Sequence, residues 1–135
     1  METCQVITAF LFRDCKVLFF RRSSSVGSYQ GRWAGVSGYL ESPTALEQAF
    51  TELSEEAGLN REDVTFLSAG SPLSVVDKSL LIRWIVNPFL FRLERPEKLR
   101  LNHEHTEYRW LPPEKMHSLD TVPMLFETLA RVLPL

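Results

Sequence analysis

The stretch from Glu41 to Leu59, ESPTALEQAFTELSEEAGL, constrains the fold more than any other part of this chain. Ser42 is a preferred N-cap residue, Pro43 suits the first helical position, and Gly58 is a left-handed terminator, so the spacing predicts a helix over about residues 43–57. Leu46, Ala49, Phe50, Leu53 and Ala57 recur at intervals of three and four, which gathers them into one apolar stripe. Such a helix needs a larger apolar surface to lie on. The Val-, Ile- and Phe-rich runs on both sides of it supply that surface.

Gln5 to Phe12 and Lys16 to Arg21 read as a hairpin of largely buried strands joined by the turn Arg13-Asp14-Cys15. Residues 22–32 are small, polar and glycine-bearing, hence an exposed loop, and Trp33 to Leu40 resumes strand character up to the helix. Val64 to Val76 and Leu80 to Leu93 read as strands in which Pro72 and Pro88 imply a bulge or an edge, because proline donates nothing to a ladder. A further strand spans Glu107 to Leu111, and Val122 to Leu133 closes the chain as a helix facing inward through Leu125, Leu129, Val132 and Leu133. Strands, helix, strands, helix is the order of an α/β chain of the α+β layered kind, a mixed sheet sandwiched between helices, with residues 1–135 forming a single domain.

Fifteen Lys and Arg against seventeen Asp and Glu give a formal charge of −2, which argues against binding nucleic acid through a basic coat. Two cysteines are too few for a disulfide scaffold or a four-cysteine zinc site. No run of eighteen apolar residues predicts a membrane span, and the first apolar stretch lacks the basic flank and cleavage site of an export signal, so the expected location is cytoplasmic.

At about 100° per residue, Glu52, Glu55 and Glu56 share one flank of the helix beside its apolar stripe. One account is a solvated turn rich in good helix formers. The other is a cation site, since three clustered carboxylates repel one another until a positive charge joins them.

Ser37-Gly38-Tyr39-Leu40-Glu41, followed by Glu52-Leu53-Ser54-Glu55-Glu56-Ala57-Gly58-Leu59, resembles the Nudix box, a glycine followed at fixed distance by R-E-U-x-E-E-x-G-U with U aliphatic. Glu52, Leu53, Glu55, Glu56, Gly58 and Leu59 stand at the motif's positions. Thr51 replaces its arginine, its mid-box glutamate falls at Pro43 or Thr44, and the distance from Gly38 to Gly58 is one residue short. In the family the arginine orients the neighbouring carboxylates; Gln48, one turn before Glu52, is the candidate to hydrogen-bond it instead. Gln30-Gly31-Arg32-Trp33 and Glu107-Tyr108-Arg109-Trp110-Leu111-Pro112 extend the resemblance over most of the chain.

That resemblance implies a hydrolase that cleaves the diphosphate of a nucleoside diphosphate linked to another group X, with Mg²⁺ or Mn²⁺ as cofactor and a small molecule of the ADP-ribose or nucleotide kind as partner. It implies Glu52, Glu55 and Glu56 as metal ligands, the Ser37 carbonyl as a further one, and Glu104 as a distal carboxylate that binds metal or acts as base. Glu52, Glu55 and Glu104 are then the catalytic candidates. The plain alternative for Glu104 is a polar loop residue. Arg21, Arg22 and Arg32 flank the polar loop as candidate phosphate ligands, with exposed solubilising charge as the alternative, and Tyr29 is the candidate to stack on a base. A homodimer is among the expected assemblies. The rival reading is a non-catalytic nucleotide or sugar-nucleotide sensor with the same fold, motivated by Thr51 and the absent box glutamate. His103, His105 and His117 show no convincing zinc pattern.

Overall fold

A computed structural model describes residues 1–134. Its elements in chain order are β1 (Glu2–Arg13), β2 (Lys16–Arg22), β3 (Trp33–Ala34), β4 (Val36–Tyr39), α1 (Ala45–Ala57), β5 (Val64–Ala69), β6 (Leu73–Asp77), β7 (Ile82–Leu93), β8 (His105–Leu111) and α2 (Leu125–Ala130). The strands form one mixed sheet, as expected. β1 and β7 run parallel along nearly their whole length, from Glu2 opposite Ile82 to Phe12 opposite Arg92, and the other pairings between these strands are antiparallel.

Both long central strands divide their outer edge between two neighbours. β1 pairs with β4 over Val6 to Ala9 and with β2 over Leu11 to Arg13. β7 pairs with β6 over Ile82 to Val86 and with β5 over Phe89 to Leu93. Strand alternation sends Ile7, Ala9 and Leu11 to one face, where they form a core with Ala49, Leu53 and Ala57 of α1, and sends Phe10 to the other, where it packs with Leu125 and Leu129 of α2. The sheet therefore lies between the two helices.

Several local expectations change. The helix begins later than Pro43: Thr44 is the N-cap and accepts from the Glu47 N–H at 3.1 Å, while the Ser42 and Glu41 N–H groups are taken by the Gln48 side chain. The run 33–40 is two strands, because the chain leaves β2 after Ala34 and joins β1 at Val36. Likewise 64–76 is split around Gly70 and Pro72. Pro88 is neither at an edge nor in a bulge but buried in the middle of β7. Its carbonyl accepts from Gly70 N–H at 3.0 Å, in the gap between the ends of β5 and β6, so its missing donor faces a break in the ladder. The closing helix starts at Leu125 rather than Val122, because Val122 N–H is bonded to the Trp33 carbonyl at 3.0 Å and Met124 turns left-handed at φ 62°.

Candidate active site

The site lies where β4 and β2 part from each other along the edge of β1. Period-two alternation on β4 turns Ser37 and Tyr39 toward the face carrying α2 and leaves Gly38, opposite Ile7, facing α1. Glu52 presses its carboxylate onto Gly38 so closely that a Cβ there would collide with it. The glycine of the motif is thus a cradle for the first helix glutamate. Gly58, left-handed at φ 69°, ends the helix as expected, its N–H returning to the Ser54 carbonyl at 3.1 Å.

Gln48 is 3% exposed, and its side chain makes three hydrogen bonds: Nε2 donates to Glu52 Oε1 at 3.1 Å, while Oε1 accepts from Glu41 N–H at 2.9 Å and Ser42 N–H at 2.8 Å. The expectation that Gln48 reaches Glu52 in place of an arginine holds in this geometry. Thr51 is exposed and borders, with Glu55 and Arg61, a groove on the outer side of α1.

The three glutamates occupy different environments. Glu55 is exposed. Glu52 is half-buried, and burial raises its pKa, with the Glu55 and Glu104 charges adding to the rise. Glu56 is only 2% exposed, and burial, reinforced by the Glu52 and Glu104 carboxylates, pushes it up to about 11. Its Oε1 lies 3.5 Å from His105 Nε2, no nitrogen or hydroxyl donor reaches its Oε2, and its other neighbour is the Glu52 carboxylate, with which it shares a hydrogen bond when protonated. His105 packs on the Phe20 ring at 4.9 Å, and burial pulls its pKa down to about 4. The contact has the length of an ion pair, but both groups are desolvated, which disfavours charge on each and favours a neutral carboxyl beside a neutral imidazole in the metal-free protein.

Glu104 borders a cleft of about 310 Å³ on the α2 side of the sheet, together with Arg22, Tyr29, Ser37, Tyr39 and Trp84. Its backbone carbonyl accepts from Ser23 N–H at 2.8 Å, and its charge is felt at Glu52, Glu56, Arg22 and His105. Arg22 is half-buried, its Nε donating to the Ser28 carbonyl at 2.9 Å; burial lowers its pKa while Glu56 and Glu104 oppose that fall. Arg21, one residue away on β2, points elsewhere: it donates to the Gly31 carbonyl at 3.1 Å and pairs with Glu107 at 3.4 Å. Arg32 lies 5.9 Å from the centre of the Tyr29 ring and 3.5 Å from the Thr121 carbonyl, and it does not line the cleft. The structure thus brings together Arg22, Ser37, Glu52, Glu56 and Glu104 and sets Arg21 and Arg32 apart.

Among the described residues no three His, Cys, Asp or Glu side chains are gathered into a ready coordination set. The feature that suits a cation is the buried carboxyl of Glu56 meeting the Glu52 and Glu104 carboxylates with no cationic side chain bonded to it. An all-oxygen donor set of this kind suits a hard divalent ion.

Three participants escaped sequence reasoning: His105 behind Glu56, and Tyr39 and Trp84 in the cleft. His105 belongs to β8, which begins two residues earlier than its pattern suggested and places His105 opposite Arg22. Trp84 and Tyr39 meet across β1, through pairings with Cys4 and Val6. Strand alternation was the available signal for each, and it acquires meaning only once the pairings are known.

This fold, a mixed sheet between two helices, is shared with several solved hydrolases. The family model described as NUDIX domain matches residues 3–132, and the chain belongs to the Nudix family, in the class of Nudix-type hydrolases. Comparison with curated proteins returned no match. Among solved structures, the dihydroneopterin triphosphate pyrophosphohydrolase of E. coli superposes with a TM-score of 0.77 at 19% identity, over 96% of this chain and 95% of that one. An Ap4A hydrolase of C. elegans in a binary complex gives 0.73 at 18% identity, over 97% and 94%. The MutT protein of Methanosarcina mazei Go1 gives 0.73 at 21%, over 97% and 93%. No helix is long and apolar enough to cross a membrane among the described residues.

Proposed function

We propose that this protein hydrolyses the diphosphate bond of a nucleoside diphosphate linked to a second group X, using Mg²⁺ or Mn²⁺. The observation that carries this reading is the buried Glu56, whose carboxyl meets the Glu52 and Glu104 carboxylates close to the half-buried Arg22. A buried carboxyl without a cationic partner costs stability, and a buried glutamate flanked by two half-buried carboxylates and an arginine suits a cation and an anion together. Two of the similar structures are named as a hydrolase of Ap4A and a pyrophosphohydrolase of dihydroneopterin triphosphate.

Glu52, Glu55 and Glu56 hold the cation, with the Ser37 carbonyl as a further oxygen. The chemistry such an ion supplies when bound is neutralisation of phosphate charge and acidification of the attacking water. Glu52 is presented by Gln48 and by the space that Gly38 leaves open. Arg22 binds the phosphates through guanidinium hydrogen bonds, and Glu104, on the cleft rim, takes the proton of the water. Trp84, Tyr39 and Tyr29 offer aromatic surface to the nucleoside.

The sensor reading is favoured by the exposed Thr51 where the family carries an arginine, together with the absent box glutamate. One experiment separates the two. Purified protein is incubated with Mg²⁺ or Mn²⁺ and a panel of ADP-ribose, nucleotide sugars, dinucleoside polyphosphates and nucleoside triphosphates, with release of nucleoside monophosphate or phosphate as readout. Metal-dependent turnover of at least one compound, abolished by chelator, is expected. Saturable binding without turnover of any compound overturns the hydrolase.

A further inference from the structure

The loop between β2 and β3 is closed at its neck by Arg22, whose N–H donates to the Arg32 carbonyl at 2.8 Å and whose carbonyl accepts from Gly31 N–H at 2.8 Å. Its two limbs are fastened to different parts of the cleft wall. The first is tied to the chain before β8: Ser23 N–H donates to the Glu104 carbonyl at 2.8 Å, and the Ser23 and Ser25 hydroxyls donate to the His103 carbonyl at 2.7 and 2.9 Å. The second limb reaches the β6–β7 hairpin. There the Tyr29 hydroxyl donates to Asp77 Oδ2 at 2.6 Å, across 48 residues of sequence, and accepts from Trp84 Nε1 at 3.1 Å. Asp77 is itself braced, since its Oδ1 accepts from Ser79 N–H at 3.0 Å, Ser79 Oγ at 2.6 Å and Leu80 N–H at 3.2 Å. The anchor is therefore part of the turn after β6 rather than a loose side chain.

Tyr29 has φ 52°, in the left-handed region that a residue with a bulky side chain rarely adopts. Such a conformation persists where surrounding contacts over-determine it, and the bonds at the Tyr29 hydroxyl are contacts of that kind. The conformation has a direct consequence for Arg22. The Ser28 carbonyl belongs to the same planar peptide unit as the Tyr29 N–H, so the φ of Tyr29 and the placing of its ring fix where that carbonyl points. It points at Arg22, accepting from Nε at 2.9 Å. With Nε committed, the plane of the guanidinium is set, and among the described residues its two terminal nitrogens make no hydrogen bond. Arg22 lines the cleft near the Glu56 and Glu104 charges, so those donors remain for an anionic ligand.

We infer that the Tyr29–Asp77 hydrogen bond is a strap across the cleft that sets the orientation of the Arg22 guanidinium through the Ser28 carbonyl, and so governs how tightly the site grips a diphosphate. This deepens the hydrolase reading, from which the phosphate role of Arg22 is taken. The Tyr29 hydroxyl and Asp77 are positioning groups that act on the ligand through Arg22. An arginine side chain has many rotamers, and holding one of them before the ligand arrives removes an ordering cost from binding.

Tyr29→Phe removes the hydroxyl and keeps the ring; Asp77→Ala breaks the same bond from its other end. Two quantities are measured: the hydrogen-exchange rate of Arg22 Nε–H in ligand-free protein by NMR, with the signal assigned by its loss in Arg22→Ala, and the dissociation constant of inorganic pyrophosphate with Mg²⁺ by calorimetry. Exchange should be about fivefold or more faster in both strap variants than in the parent. Each should weaken pyrophosphate about threefold or more in the parent background, and neither should weaken it further in an Arg22→Ala background, because the two changes act through one contact. Unchanged exchange overturns the inference. So does weakening by the same factor in both backgrounds, or an effect of Tyr29→Phe that Asp77→Ala does not share, and these results leave the hydrolase intact. A parent that does not bind pyrophosphate, or an Arg22→Ala variant that binds it as the parent does, removes the phosphate role of Arg22 and overturns the inference with it. The exchange rate is read without ligand, so that failure is told apart from failure of the strap.

Discussion

Gln48 and Glu52, one helical turn apart, are joined by a hydrogen bond of 3.1 Å from an amide whose oxygen simultaneously holds the two backbone N–H groups entering the helix. One neutral side chain thereby fastens the loop after β4 to α1 and aims a carboxylate. Gln48→Met removes both functions. Leaving the Glu41 and Ser42 N–H groups without a partner should cost about 1–3 kcal/mol, read by chemical denaturation. Freeing Glu52 should lower kcat by more than KM rises. A variant that loses stability yet keeps the parental kcat would show that Glu52 needs no such guide.

Gly38→Ala tests the cradle. The added methyl group meets the Glu52 carboxylate, a flexible side-chain end, so the helix survives and the carboxylate moves. A melting temperature within a few degrees of the parent, with turnover lowered by about tenfold or more, is the expected combination. Parental turnover would mean that the seat on Gly38 is incidental.

Two buried groups give the metal-free protein opposing pH slopes. Glu56, at about 11 when folded against an ordinary 4.5, keeps its proton in the native chain and loses it on unfolding, so its contribution is full below pH 4.5 and drains as pH rises toward 11. His105, at about 4 against 6.5, stays neutral when folded and gains a proton on unfolding, so its contribution is full above pH 6.5 and is lost as pH falls toward 4. Between 4.5 and 6.5 the two offset each other. Above 6.5 only the Glu56 slope remains. In chelator, the parent's melting temperature should fall between about pH 7 and 9.5, and that of Glu56→Gln should fall less, because the amide has no proton to lose. Parallel declines would mean that Glu56 is already ionised in the fold.

Arg22 and Arg21 are adjacent in sequence and point to different places. Arg22→Ala should raise KM about tenfold or more, beyond rescue by added metal, because the lost contact is to phosphate. Arg21→Ala, which breaks only an exposed pair with Glu107, should stay within about twofold of the parent. Equal effects of the two changes would dissolve the distinction.

Glu104→Gln keeps the size and the polar character of the side chain while removing its charge and basicity. If Glu104 takes the proton of the attacking water, kcat should drop by about 10²–10⁴ with little change in KM. A drop confined to KM would move Glu104 from catalysis to binding.

The hairpin of β1 and β2, the helix ending at Gly58 and the acidic flank at Glu52, Glu55 and Glu56 were legible in the chain itself, because each depends on residues within one or two turns of one another. Caps, period and spacing are local quantities. The start of α1 was less legible: Ser42 and Thr44 are both good caps, and the choice fell to Thr44 once Gln48 had taken the Ser42 N–H. The truncated start of α2 was likewise set by a distant partner, the Trp33 carbonyl.

The environments of the three glutamates were decided only in three dimensions. Their sequence context is nearly uniform, yet Glu56 is sealed against His105, Glu52 rests on Gly38, and Glu55 faces solvent. What separates them is which strand lies over each part of the helix, and that follows from sheet register. Register also carries Glu104, Arg22, Tyr39 and Trp84 to one cleft from four separate stretches of chain. The local sequence determines which elements form and which residues are chemically able to act. Strand pairing, driven by burial of the two sheet faces, determines which of those residues meet.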